Sequence, residues 1–264
     1  MAHAKERFKK KTAKIAAKDI RIDPRCQRTL LPAWLKKITD ELDLDRLDVV
    51  SVSLREDGHH YSIDGQHRLG ALINNGCGDW LVTCHVYMGL TLADEAWLFV
   101  KLNETRNVNA WESFDKGLTA GFPDCLAVQR VTEKFHITAS DQCGDRKLAC
   151  VAAARSIVGS NGEGADLLAW AISVAIDAWG ATGSALDGKI IQGLAIFGKK
   201  YMRAVDRDSL VKKLSVYAGG PTRLLGAARG ESDLRGGTVA KNVARVCIAR
   251  YNIGRRAGNQ LAEI

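Results

Sequence analysis

The chain has 264 residues, of which 46% are hydrophobic and 26% charged, and it carries a formal net charge of +8. That length supports one large domain or two ordinary ones, each with a buried core, and the composition is ordinary for a soluble globular protein. No stretch approaches the roughly 18 uninterrupted apolar residues that span a bilayer, and no apolar segment of a secretory signal follows the basic N-terminus. A cytoplasmic protein without membrane contacts is expected.

Lys5, Arg7, Lys9, Lys10, Lys11, Lys14 and Lys18 crowd the first eighteen residues, opposed only by Glu6. Residues 1–18 therefore read as a basic flexible tail, serving either to lie on nucleic-acid phosphates or to keep the chain in solution. Asp19 to Ile22 predicts a short strand, stopped by Asp23-Pro24. Pro32 opens an amphipathic helix with Leu35, Ile38 and Leu42 at helical spacing. Val49 to Arg55 predicts a strand, Asp57-Gly58 a hairpin turn, and His60 to Ile63 the returning strand. Gln66 to Asn75 predicts a helix stopped by Gly76, Leu81 to Tyr87 a strand, and Thr91 with Asp94 the capping box of a helix reaching about Leu102.

Beyond about Trp111 the strand signals end. A long apolar helix contains Leu167, Leu168, Ile172, Val174 and Ile176, and further helices are expected near 187–203, 208–218 and 238–251. The fold class expected is α+β. A small mixed domain over 19–115 precedes an all-helical one over 116–264, in which Trp170 and Trp179 read as core.

The seven cysteines are an odd number with no Cys-x-x-Cys pair, which fits reduced thiols. A zinc site from Cys77, Cys84, His85 and the His59-His60 pair matches no standard ligand spacing.

Three polar clusters punctuate the mixed half. They are Pro24-Arg25-Cys26-Gln27-Arg28, Asp64-Gly65-Gln66-His67-Arg68 and Leu102-Asn103-Glu104-Thr105-Arg106. The second sits at a strand-to-helix turn, where free N–H groups and the positive end of the helix dipole favour an anion. Gly65 lets the backbone approach a ligand, and His67 and Arg68 add donors in the first turn. Asp64 either caps the helix or holds a metal ion that bridges phosphates. The alternative is a plain helix cap followed by surface residues.

The order and spacing of these segments over residues 19–115 resemble the ParB/sulfiredoxin-like superfamily, and Asp-Gly-Gln-His-Arg resembles its DGQHR branch. In ParB proteins the matching segments bind CTP. The resemblance implies that Gln27, Arg28, Gly65, Arg68, Asn103 and Arg106 face a nucleotide, with Asp64, Gln66 and His67 beside them. It implies a nucleoside triphosphate, CTP or ATP, with Mg²⁺ as the ligand. Two departures bear on that. Leu102 stands where ParB has the Glu that binds magnesium, and Gly70 stands where it has an Arg. Sulfiredoxins are similar over Gly-Cys-His-Arg, but their catalytic thiol is replaced here by Gln66, whose amide is no nucleophile. The carboxylates open to an NTPase or nuclease reading are Asp64, Glu95, Glu104 and Asp115.

In the helical half, segments near 188–203 and 206–213 predict two helices joined by a short turn. Lys199, Lys200, Arg203, Arg207, Lys212 and Lys213 would make them basic, either as a helix-turn-helix or as a plain bundle. The last helix carries Lys241 and Arg245 one turn apart and runs into Arg255 and Arg256. A ParB-like domain followed by a Trp-containing helical domain that ends in a basic helix resembles proteins of actinobacterial phages and mobile elements. DNA is the partner expected for Lys9, Lys10, Lys11, Lys241, Arg245, Arg255 and Arg256, with a homodimer open. The leading expectation is a nucleotide-dependent switch in phage or plasmid DNA maintenance. The rivals are an enzyme using the same pocket and a non-catalytic interaction module.

Overall fold

The computed structural model describes residues 7–103 and 109–264, and the chain divides into two compact units, Met1–Gly121 and Phe122–Ile264. The first is a mixed sheet with helices and the second is largely helical, so the fold class is α+β.

The first unit contains β1 (Lys10–Ala16), β2 (Ile20–Arg21), α1 (Pro32–Asp40), β3 (Val50–Leu54) and β4 (His60–Asp64). It continues with α2 (Gln66–Asn74), β5 (Leu81–Met88), α3 (Leu92–Leu102) and α4 (Ala110–Thr119). The strand order is β1-β5-β3-β4-β2. The β1/β5 and β3/β4 pairs are antiparallel, and β3/β5 and β2/β4 are parallel. Alternation of side chains along the strands divides the core in two. Val50, Val52, Val82, Cys84 and Val86 pack with Leu69 and Leu72 of α2, whereas Ile63 and Tyr87 pack with Leu98 and Phe99 of α3.

The basic tail is a correction. Lys10 to Ala16 is not flexible chain but an edge strand, paired residue by residue from Lys10 opposite Tyr87 to Ala16 opposite Leu81. Ala13 and Ile15 pack against the core while Lys10, Lys11 and Lys14 face outward. Lysines on an outer strand also discourage pairing with other chains. Thr91 and Asp94 form the full capping box at the start of α3, as the sequence predicts.

The second unit contains α5 (Pro123–Lys134), β6 (Thr138–Ala139), β7 (Lys147–Leu148), α6 (Val151–Val158) and α7 (Ala165–Trp179). It ends with α8 (Gly188–Tyr201), α9 (Arg207–Ser215), α10 (Gly220–Arg235) and α11 (Val239–Asn252). The expectation of an all-helical half is corrected by the short parallel pair β6/β7. Trp170 stacks on Phe197 with ring centroids 6.0 Å apart, and Trp179 donates its indole N–H to the Leu214 carbonyl at 3.0 Å.

Candidate functional site

The loop after β2 is fixed from beneath by an ionic network. Asp23 and Glu95 are buried, and Arg55 joins them. Its Nη1 donates to Asp23 at 2.8 Å and its Nε to Glu95 at 2.8 Å. Arg25 closes on Asp23 through two further bonds at 3.0 and 2.7 Å. Arg25 first, and then Arg55, hold the Asp23 carboxyl below the usual carboxylate range against the opposing effect of burial. Cys26 is buried against Glu95, and burial followed by that carboxylate pushes its thiol up to about 12, which leaves it unreactive. The Lys116 ammonium of α4 reaches the Pro24 carbonyl at 2.9 Å.

This anchored loop lies against the β4–α2 turn. Gln27 Nε2 donates to the carbonyl of Ser62 at 2.9 Å and also to that of Ile63. Gln66 Nε2 returns the contact by donating to the Arg28 carbonyl at 2.8 Å. Gly65 is the N-cap of α2 at φ +108°, and a Cβ there would meet Val50 Cγ2 at 3.0 Å. Only glycine accepts both the conformation and the contact.

Loop, turn and α1 enclose a cleft of about 720 Å³. Gln27, Arg28, Asp64, Gly65, Gln66, His67, Arg68 and Asn103 all line it. The structure thus brings together every residue expected at the nucleotide or phosphate site except Arg106, which lies outside the described residues. The sequence reading missed the apolar wall of Leu31, at the N-cap of α1, and of Trp34 and Ile38 on that helix, together with Phe99 and Asp48. The signal for that wall was present, because Trp34 lies on the helix opened by Pro32 and Leu31 just before it, and both stay half-exposed, at 47% each.

The bonding redistributes the expected roles. His67 is buried, and its Nε2 accepts the Leu31 N–H at 3.1 Å, so it is not a cationic phosphate donor. Arg68 Nη2 pairs with Asp64 at 3.1 Å, and its Nη1 reaches the Val49 carbonyl at 3.3 Å and Asp48 at 4.0 Å. Asp64 therefore does not cap α2, whose N-cap has no side-chain bond. Buried Asn103 ends α3 by donating to the Phe99 carbonyl at 2.8 Å. Arg28 is the cation held most loosely, 3.9 Å from Glu112. Gly70 packs α2 against α1, because a Cβ there would sit 3.0 Å from Leu35 Cδ1.

Of the carboxylates open to an enzyme reading, Glu95 is held by Arg55 and Asp115 by Lys116 at 2.8 Å, and Glu104 lies outside the described residues. No group of three His, Cys, Asp or Glu suited to a metal ion occurs among the described residues. No helix among them is long and apolar enough to cross a membrane.

The basic residues expected to meet DNA divide. Lys9, Lys10, Lys11 and Arg256 are exposed. Arg245 is partly buried and donates to Asn242 at 2.7 Å and to the Ile264 carbonyl at 3.3 Å. Arg255 lies 3.9 Å from the Tyr251 ring centroid and donates to its hydroxyl at 2.6 Å. Lys241 is partly buried in the first turn of α11, its N–H held by Thr238. On the two helices expected near 188–213, Lys200 binds the Glu263 carbonyl, Arg207 pairs with Asp177, and Lys213 caps the end of α11.

The chain belongs to the family described as a family of unknown function, DUF6551, whose model matches residues 24–236. Comparison with curated proteins finds no match. Two similar solved structures are of the C-terminally truncated chromosome-partitioning protein ParB from Caulobacter crescentus. The one complexed with CTP-γ-S is 15% identical with a TM-score of 0.32, over 88% of this chain and 98% of that one. The one complexed to the centromeric parS site is 14% identical with a TM-score of 0.36, over 88% and 97%.

Proposed function

We propose that the protein binds nucleic acid and carries a nucleotide- or phosphate-binding cleft in its first unit, acting as a nucleotide-dependent switch in phage or plasmid DNA maintenance or regulation. The observation that carries this reading is the meeting of the Gln27-Arg28 loop, the Asp64–Arg68 turn and Asn103 in one cleft of about 720 Å³. That size lies within the range of roughly 300–1,000 Å³ found for small-molecule sites. The residue resemblance to ParB supports the same assignment.

The cleft has two chemically distinct sides that suit a nucleoside triphosphate, CTP or ATP. The base lies against Trp34, Leu31 and Ile38, because a flat π-system stacks on an indole. The phosphates lie at the start of α2, whose first N–H groups point outward, with Arg28 as the available guanidinium. Arg68 supports the site by holding Asp64 in place. The donor set does not fit a Mg²⁺ ion held by the protein alone, because both lining aspartates, Asp48 and Asp64, approach Arg68.

The test is calorimetric titration with the four nucleoside triphosphates, with and without DNA, on wild type and Arg28→Ala. Binding of one of them, weakened about tenfold or more in the variant, is expected. Silence for all four sinks the nucleotide half of the reading. Labelled triphosphate and plasmid DNA incubated with Mg²⁺ or Mn²⁺ are expected to remain intact, and turnover lost in Arg68→Ala would make the protein an enzyme instead.

A further inference from the structure

The helical unit has its own cleft, of about 580 Å³, where the end of α9, the start of α10 and the end of α11 meet. Its charged lining consists of Lys213, Arg223 and Arg250, with no carboxylate. Lys213 is fixed in place, because its Nζ donates to the Tyr251 and Ile253 carbonyls at 2.6 Å each. Arg250 lies over Tyr217, 4.2 Å from the ring centroid. Among the described residues neither Arg223 nor Arg250 forms an ion pair with a carboxylate. Gly219, the N-cap of the 16-residue helix α10, also lines the cleft, and the first turn of that helix contains no acidic residue. The positive end of its dipole therefore adds to two uncompensated guanidiniums.

The apolar part of the lining decides between ligands. Val216 is 75% exposed and Ile253 59% exposed, and both line this cleft beside the arginines. A free phosphate ion leaves such surface wet, whereas a phosphodiester chain alternates anions with sugars that cover it. We propose that this cleft binds the sugar–phosphate backbone of DNA, with Arg250 and Arg223 each neutralising a phosphate and Val216 and Ile253 meeting the deoxyribose. The inference rests on the DNA-binding reading above and places one of its contacts at Arg223 and Arg250.

The experiment is fluorescence anisotropy of a labelled DNA duplex with the full chain, titrated across about 50–200 mM salt. Wild type is compared with the Arg223→Gln/Arg250→Gln double variant. Each lost phosphate contact removes about 0.9 from the slope of log K against log salt, so the expected change is about 1.8. Thr222→Glu serves as a second variant. It places a carboxylate in the first turn of α10, where the dipole favours it, so the fold is retained while the backbone is repelled. Its expected effect is a loss of affinity with an unchanged thermal melt. An unaltered slope in the double variant, or unaltered affinity in Thr222→Glu, overturns the site and leaves the DNA reading standing. Absence of DNA binding by wild type overturns both. Displacement of DNA by millimolar inorganic phosphate at fixed ionic strength assigns the cleft to a free anion and overturns the backbone assignment.

Discussion

The Nε2 atom of His67 accepts a hydrogen bond from the Leu31 backbone N–H at 3.1 Å. An accepting ring nitrogen carries no proton, so the folded protein holds a neutral imidazole with Nδ1 as its donor. Burial lowers its affinity for a proton, and the Arg28 charge lowers it further, against a smaller opposing effect of Asp64. In the unfolded chain the same group titrates near pH 6.5. As pH falls, the unfolded state takes up the proton first. The stability contribution is therefore full above about pH 6.5 and is lost below it. The urea midpoint is expected to drop below that pH in wild type and to drop less in His67→Gln, whose amide oxygen accepts the same bond. His60, also lowered by burial and by Lys11, titrates in both proteins and cancels in the comparison. Parallel pH profiles would refute the assignment.

Gly65→Ala is expected to cost about 1–3 kcal/mol, from left-handed backbone strain and contact with Val50. Gly58 has φ +77° but open space around it, so Gly58→Ala carries the strain alone. Denaturant midpoints of the two variants separate these effects, and equal losses would show that the Val50 contact is unimportant.

Removal of one partner from the buried network beneath the loop is expected to be severe. Glu95→Ala leaves Arg55 with Asp23 as its remaining carboxylate partner and its Nε and Nη2 donors unmatched, and should cost about 3 kcal/mol. Arg25, whose side chain is 66% exposed, pairs with the same Asp23, yet Arg25→Ala should scarcely move the urea midpoint. Urea denaturation of both variants measures the contrast.

Trp34→Ala is expected to weaken nucleotide binding about tenfold, corresponding to the loss of about 1–3 kcal/mol of stacking. Because α1 has no buried side chain, the thermal melt should scarcely move. Titration calorimetry checks the first point and a melting curve the second. Undiminished affinity would place the base elsewhere.

What the sequence made legible and what it hid follow from the range of the interactions. The β3–β4 hairpin, the turn at Gly65 and the capping box at Thr91 are governed by neighbours in the chain, so their residues announce them. β1 was hidden because this edge strand exposes Lys10, Lys11, Thr12 and Lys14, which together look like a solvated tail. Helix α10 was hidden because only Leu224 and Ala228 of its 16 residues are buried, which leaves no apolar stripe to read. Within the cleft, the residue types and their grouping were visible. The division of labour was not, because whether Gln27, Gln66 or His67 faces a ligand or a carbonyl depends on partners about 35 residues away.

Helix α1 is tied to the rest of its unit by few bonds. Leu31 meets His67, the Thr39 carbonyl accepts from Asn75 at 3.0 Å, and Leu35 rests against Gly70. An element that buries none of its side chains has little to lose by detaching, so it opens at lower free energy than the strands behind it. Its amides should exchange with solvent deuterium well before those of β3 and β5. A ligand lying on Trp34 would slow that exchange, which turns the helix into a built-in gauge of whether the cleft is filled.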